Sequence, residues 1–348
     1  MEPYTEHTVT YDGDRHIFYI AAGPVDGPLI IFMHGWPSIG KTWHPQLQAF
    51  ASRGFRVIAP DMPGYGRSTA RNVPTDYALP LVIEGMLAVL GDTGRDKAVW
   101  VGHDWGCATL WTLANTHPEV CRAVAGICVP YASLELGLDE LISTVDRDIY
   151  PVDKYPYGQW SYQVFYNESF EKAESYFNNG IPNALRIVNR KGDPAMVNKP
   201  MPHGSVVEGG GWYGGAKAPP DMPGVTDAET AHDEDIFQEV VAAMEKTGFG
   251  PSLGWYVNHD ANRQYNEENT KHDGRLLMPV HFVHASYDAV CYSITGKFAE
   301  KMRDRCDCLT ESVVDGGHWV AAEKREETNA ALVKWMSEEV KDWWPSKQ

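Results

Sequence analysis

The sequence predicts an α/β protein: a mostly parallel central sheet flanked by helices, with a long helical segment inserted before its last strands. Three observations lead there. Short apolar runs of the buried-strand kind alternate with helix-period stretches through the first third of the chain. That rhythm stops near Pro130 and resumes at Pro279-Val280-His281-Phe282. At 348 residues, the chain suits one large domain carrying a sizeable insertion.

Thr8 to Tyr11 and His16 to Ala22 read as two paired strands. Leu29 to Met33 is an apolar run of the kind buried on both faces of a parallel sheet. A helical stretch around Thr42 to Ser52 leads to the short strand Arg56 to Pro60. Leu81 to Leu90 reads as helix, Ala98 to Val101 as strand, Cys107 to Thr116 as helix and Ala123 to Val129 as strand. After the interruption come strands at Pro279 to His284 and Thr310 to Val314, then one amphipathic helix from about Ala321 to Trp343. The predicted organisation is a core over residues 1–130 and 277–348, with a helical cap over 131–276. Inside that cap, Val164 to Phe177 and Asp233 to Lys246 read as helices. The Pro/Gly-rich stretch 200–224 reads as an irregular connection, functional or mobile by its length.

The formal net charge of −17 excludes polyanionic partners, because nucleic-acid binding needs a basic footprint. Six cysteines, at 107, 121, 128, 291, 306 and 308, lack metal-ligand spacing and read as reduced thiols. No apolar run reaches membrane-spanning length, and Met1 to Gly23 is too polar for a signal peptide. The expectation is a cytoplasmic protein without nucleic-acid or membrane partners. A homodimer is compatible with the sequence but not inferable from it.

The chemistry is announced by Gly102-His103-Asp104-Trp105-Gly106, which joins the strand Ala98 to Val101 to the following helix. That is the setting of a nucleophile elbow, with Asp104 where a serine is usual. A carboxylate there forms its ester by attacking a saturated carbon, and water then cleaves the ester at the carboxylate's own carbonyl. The substrate class is therefore an sp3 electrophile such as an epoxide or alkyl halide. His34-Gly35-Trp36-Pro37 directly follows the Leu29 to Met33 strand and can aim amides at a reacting oxygen. The expected oxyanion donors are the backbone N–H groups of Trp36 and Trp105. His318, in Asp315-Gly316-Gly317-His318-Trp319, is the candidate base, and Asp288, a few residues beyond the strand before it, is the carboxylate that orients it. The chain order Asp104, Asp288, His318 suits this architecture.

The HGWP, GHDWG, SYDAV and GGHW segments, together with Asp-Met-Pro-Gly-Tyr-Gly-Arg-Ser at 61–68, resemble those of epoxide hydrolases of the α/β-hydrolase superfamily. The resemblance covers nearly the whole chain except 200–224 and implies the α/β-hydrolase fold with an inserted cap. These core motifs are shared with haloalkane dehalogenases. The resemblance further implies two cap tyrosines that protonate the epoxide oxygen. Ser161-Tyr162-Gln163 and Gly254-Trp255-Tyr256 match their contexts, so Tyr162 and Tyr256 are the expected donors. Phenols suit that task because they stay protonated at neutral pH. One departure is Ser38, where many members carry an acidic residue after HGxP.

The implied activity is conversion of a small apolar epoxide and water to a vicinal diol, with no metal or organic cofactor. A haloalkane or haloacid dehalogenase is the nearest alternative, although Trp36 stands where most haloalkane dehalogenases have Asn. A catalytically silent ligand receptor on the same scaffold is a third reading. Retention of Asp104, Asp288 and His318 argues against it, since a receptor needs only the pocket.

Overall fold

The computed structural model describes residues 4–221 and 229–345. Its strands are β1 (Thr5–Tyr11), β2 (Arg15–Ala22), β3 (Leu29–Met33), β4 (Arg56–Pro60), β5 (Ala98–His103), β6 (Cys121–Ile127), β7 (Leu276–Ala285) and β8 (Cys306–Val314). They form one sheet in the order β1-β2-β4-β3-β5-β6-β7-β8. β2 pairs antiparallel with both β1 and β4, and every other neighbour pair is parallel. β3 and β5 lie at the centre with every residue buried, which is why their sequence is continuously apolar rather than alternating.

Three helices connect the first six strands: α1 (His44–Ala51), α2 (Leu79–Asp92) and α3 (Trp105–Thr116). All of α3 is buried, so its packing fixes the end of β5 and the turn between them. Gly102 and Gly106 allow that approach: a Cβ on Gly102 would lie 2.5 Å from the Gly106 carbonyl oxygen, and one on Gly106 would lie 2.2 Å from that of Met33.

Between β6 and β7 the described chain adds no strand to the sheet. It folds into helices at Leu138–Ser143, Ser161–Glu168, Phe170–Asn178, Ile181–Val188, Glu234–Thr247 and His259–Asn269, with shorter turns between them. This insertion is tied to loops that follow the strands' C-terminal ends. The Trp36 indole donates to Ser252 Oγ at 3.2 Å, the Trp255 indole to the Pro63 carbonyl at 2.9 Å, and the Trp319 indole to the Val188 carbonyl at 2.7 Å. Tryptophan suits such joints because it buries a large apolar body while its N–H still finds an acceptor.

Several expected boundaries are corrected. The stretch Val164 to Phe177 is two helices, because Ser169 leaves helical geometry (φ −144°, ψ 50°) and its carbonyl accepts from Lys172 and Ala173 to start the second. The C-terminal helix is likewise broken. Val320–Glu323 and Arg325–Glu339 meet at Lys324 (φ −125°, ψ 53°), and a 3-10 turn covers Lys341–Trp343. No proline or glycine marks the Lys324 break. β8 begins at Cys306, earlier than expected, since its polar first residues lie on the sheet's edge and carry no apolar signal. The 200–224 stretch has short turns at Pro202–Ser205 and Trp212–Gly215, and its residues 222–224 lie outside the described chain.

Candidate active site

Asp104 occupies the sharp corner between β5 and α3 with φ 52° and ψ −123°, a conformation strained for a residue with a side chain. The corner projects the carboxylate toward the turn after β3. There the Trp36 backbone N–H donates to Asp104 Oδ1 at 2.7 Å. Gly35 makes room for this contact: a Cβ on it would sit 2.3 Å from Oδ1 and 2.7 Å from the Trp105 amide nitrogen. The HGxP glycine, Asp104 and the first amide of α3 are thus packed together. His34 braces the turn from behind. Its Nδ1 donates to the Gly35 carbonyl at 2.9 Å, its Nε2 accepts from the Met62 amide at 2.9 Å, and burial lowers its pKa to about 4.

His318 follows β8 and reaches both carboxylates. Its Nδ1 donates to Asp288 Oδ2 at 2.7 Å, and its Nε2 lies 3.6 Å from Asp104 Oδ2. The other oxygen of Asp288 accepts the amides of Val290 (3.0 Å) and Cys291 (2.8 Å), so the orienting carboxylate is buried and saturated. Burial opposes ionisation of Asp288 and Asp104, but the neighbouring imidazolium and backbone donors prevail and both pKa values are lowered. Burial likewise opposes the charge on His318, yet the Asp288 and Asp104 carboxylates outweigh it and hold its pKa well above the ordinary value. These shifts all favour an anion–cation–anion array in the free site.

Tyr162 and Tyr256 come from the insertion and meet above the same site. Their rings pack edge to face at 5.9 Å, and Tyr256 also stands against Trp105 (5.1 Å), Trp36 (5.7 Å) and Tyr166 (5.2 Å). Burial raises both phenol pKa values well above 10, and the Asp104 charge adds to the shift. Both hydroxyls thus remain protonated. Gln163 Nε2 donates to the Tyr162 oxygen at 3.0 Å, leaving the phenol proton free to point elsewhere. Tyr166, which packs against both rings, accepts from the Trp212 indole at 3.1 Å.

The structure brings together every residue expected at the site and adds others. His103 precedes the nucleophile and donates from Nε2 to the His318 carbonyl at 2.7 Å, while the Cys128 thiol donates to that same oxygen at 3.3 Å. A histidine ending an apolar strand was the available sequence signal. Glu323 gave none. Its Oε2 accepts the Gly317 amide beside His318 (3.0 Å) and the Gly192 amide of the insertion (3.1 Å), which ties the base's loop to the insertion. Turning Glu323 back to both amides accompanies the helix break at Lys324.

Ser38 is buried and donates to Thr42 Oγ1 at 2.8 Å, since the Thr42 hydroxyl is itself committed to the Ile39 carbonyl. It lines a cavity of about 20 Å³ with His34, His103 and His232, room for a single water. Among the described residues, two groups gather metal-ligand atoms within 4.8 Å: His103/Cys128/His318 and Asp288/Cys291/His318. Burial holds the Cys128 thiol well above its ordinary pKa and Cys291 up to about 12, so in the metal-free site both are neutral thiols.

A family model described as the alpha/beta hydrolase fold matches residues 28–324, and the chain belongs to that family. It is 27% identical to epoxide hydrolase A of Mycobacterium tuberculosis over 343 residues, covering 96% of this chain and 97% of that protein. It is 30% identical to bifunctional epoxide hydrolase 2 of Rattus norvegicus over 323 residues, 91% of this chain and 53% of that protein. The chain thus spans about half the length of the mammalian relatives it matches. The crystal structure of epoxide hydrolase A from Mycobacterium thermoresistibile superposes with a TM-score of 0.76 at 25% identity, covering 97% of this chain and 99% of that one.

Proposed function

We propose that this chain hydrolyses epoxides to vicinal diols through a covalent ester on Asp104. The observation that carries the reading is the asymmetric setting of the Asp104 carboxylate, with Oδ1 on the Trp36 amide and Oδ2 toward His318. Oδ2 attacks an epoxide carbon and the ring C–O bond breaks. The resulting alkoxide takes a proton from Tyr162 or Tyr256. The ester carbonyl is then Oδ1, already seated on its donor. Esterification also removes the Asp104 charge, one of the two that stabilise the His318 cation, so His318 gives up its proton, which returns to the tyrosinate, and the neutral imidazole can act as a base. It takes a proton from water as hydroxide attacks the Asp104 carbonyl carbon. The tetrahedral oxyanion develops at the Trp36 amide, with Trp105 as the second donor, an effect of about 3–4 kcal/mol for each donor. Collapse breaks the ester C–O bond, the hydroxyl proton of the intermediate passes to the departing alkoxide to complete the diol, and the Asp104 carboxylate is restored beside the His318 imidazolium.

Asp288 keeps the His318 tautomer, and the 131–276 segment serves as the cap that carries both phenols over the reacting carbon. The substrate partners are a small epoxide and water, and the reduced, mostly buried thiols fit a cytoplasmic setting. Among the described residues no helix is long and apolar enough to cross a membrane. Halide chemistry is disfavoured by the Trp36 indole, whose N–H is already spent on Ser252 rather than open to a departing halide.

The test is a single turnover in heavy-isotope water with protein in excess. Label is expected first in the Asp104 carboxyl group, with unlabelled oxygen passing to the diol. Label entering product directly, with Asp104 unmarked, refutes the ester.

A further inference from the structure

The 200–224 stretch puts a histidine beside Tyr162. His203 lies on the Pro202–Ser205 turn, 8% exposed, with its ring edge to face against Tyr162 at 6.1 Å. It is close enough to sense the charges of Asp288 and His318, while burial dominates and draws its pKa down to about 4. The turn is held firmly. The Met201 amide donates to the Tyr150 hydroxyl at 3.2 Å, the Val207 amide donates to Ser161 Oγ at 3.0 Å, and Ser161 Oγ donates to Glu208 at 3.1 Å. Yet His203 Nε2 is buried without a hydrogen-bond partner. A buried polar atom left unpaired costs stability, and such atoms in native proteins call for an explanation.

We infer that His203 is a polar subsite next to the reacting carbon and takes a neutral hydroxyl carried by the epoxide substrate, an inference that rests on the proposed activity. A neutral imidazole presents one donor and one acceptor, and a hydroxyl matches whichever of them Nε2 offers. A substrate carboxylate is disfavoured there by the nearby Asp288 charge. The enzyme would then select epoxy alcohols over alkyl epoxides of equal size, with the insertion as the source of that selectivity.

The experiment compares terminal epoxides of graded chain length, each as its ω-hydroxyl form and its methyl counterpart. At the matching length, wild-type kcat/KM should favour the hydroxyl form by about tenfold, carried mainly by KM, as for one neutral hydrogen bond. His203→Phe should erase that preference, read as the ratio of kcat/KM for the hydroxyl form to that for the methyl form. His203→Gln, which keeps an amide near the Nε2 position, should retain it, and thermal unfolding checks that both variants fold. Equal rates for the two forms at every length in wild type, or a preference unchanged in His203→Phe, overturn the subsite. If His203→Gln folds and loses the preference along with His203→Phe, hydrogen bonding at Nε2 is overturned as its cause. Absence of diol from every substrate instead overturns the underlying activity, and with it this inference.

Discussion

The two halves of the site are held by different forces. On the sheet, the triad groups are fixed by directional bonds: Asp288 by two amides and His318, Asp104 by the Trp36 amide, and the His318 carbonyl by His103 and Cys128. In the insertion, Tyr162 and Tyr256 are placed chiefly by aromatic edges, with few directional bonds. Hydrogen bonds to charged groups fix atoms closely, whereas ring packing tolerates repacking at modest cost. In the proposed mechanism, the nucleophile and base therefore sit where geometry is over-determined, and the two phenols sit where the walls can be repacked.

Breaking the sheet side should cost most. Asp104→Ala removes the atom proposed to bond to substrate, and diol formation should fall by a factor on the order of 10⁴ or more. A rate near wild type in a stopped assay would show that the ester is not on the pathway. His318→Gln should separate the two steps: mass spectrometry should find protein plus one epoxide accumulating at residue 104, with turnover nearly abolished. Free protein alone, at full substrate, would assign His318 to the first step.

On the insertion side, replacing Tyr162 and Tyr256 together by Phe should slow alkylation of Asp104 by about 10²–10⁴-fold, while each single variant retains part of the rate. Undiminished ester formation in the double variant would remove both phenols from the mechanism. The joint between the halves should matter less. Ser252→Ala strands the Trp36 indole N–H and should lower stability by about 1–3 kcal/mol, with kcat changed little, as read by denaturant unfolding alongside steady-state kinetics.

The charged array also predicts a pH signature confined to the sheet side. His318 is raised when folded, so its contribution is complete below the unfolded imidazole pKa of about 6.5 and is lost as pH rises through the raised folded value. Asp288 and Asp104 are lowered, so theirs is complete above the unfolded value of about 3.9 and is lost as pH falls through the lowered folded values. Both descriptions concern one interaction, most stabilising between these limits. His318→Gln should flatten the alkaline decline in unfolding free energy, whereas the tyrosine variants should leave it in place. An identical decline in His318→Gln would place its origin elsewhere.

Much of the sheet was legible because its signals are local. A continuously apolar run marks a buried parallel strand, and the elbow and HGxP turns need glycine within a few residues of the reacting group. Asp104, His318 and Asp288 could be named from such neighbourhoods, and Tyr162 and Tyr256 from family contexts. The helix breaks at Ser169 and Lys324 were not legible, since neither follows a proline or glycine. Lys324 breaks beside a Glu323 whose two partners lie at Gly317 and, far back in the chain, Gly192.

By itself, the sequence determined the fold class, the order of its strands and helices, and the candidates Asp104, Asp288 and His318 that the fold brings together, because periodicity and tight-turn chemistry act over a handful of residues. Only tertiary structure decided that Asp104 Oδ1 sits on the Trp36 amide, that Glu323 joins the base's loop to the insertion, and that His203 stands beside Tyr162. Those are contacts between residues distant in sequence, set by burial and packing of whole elements, and no local pattern encodes them.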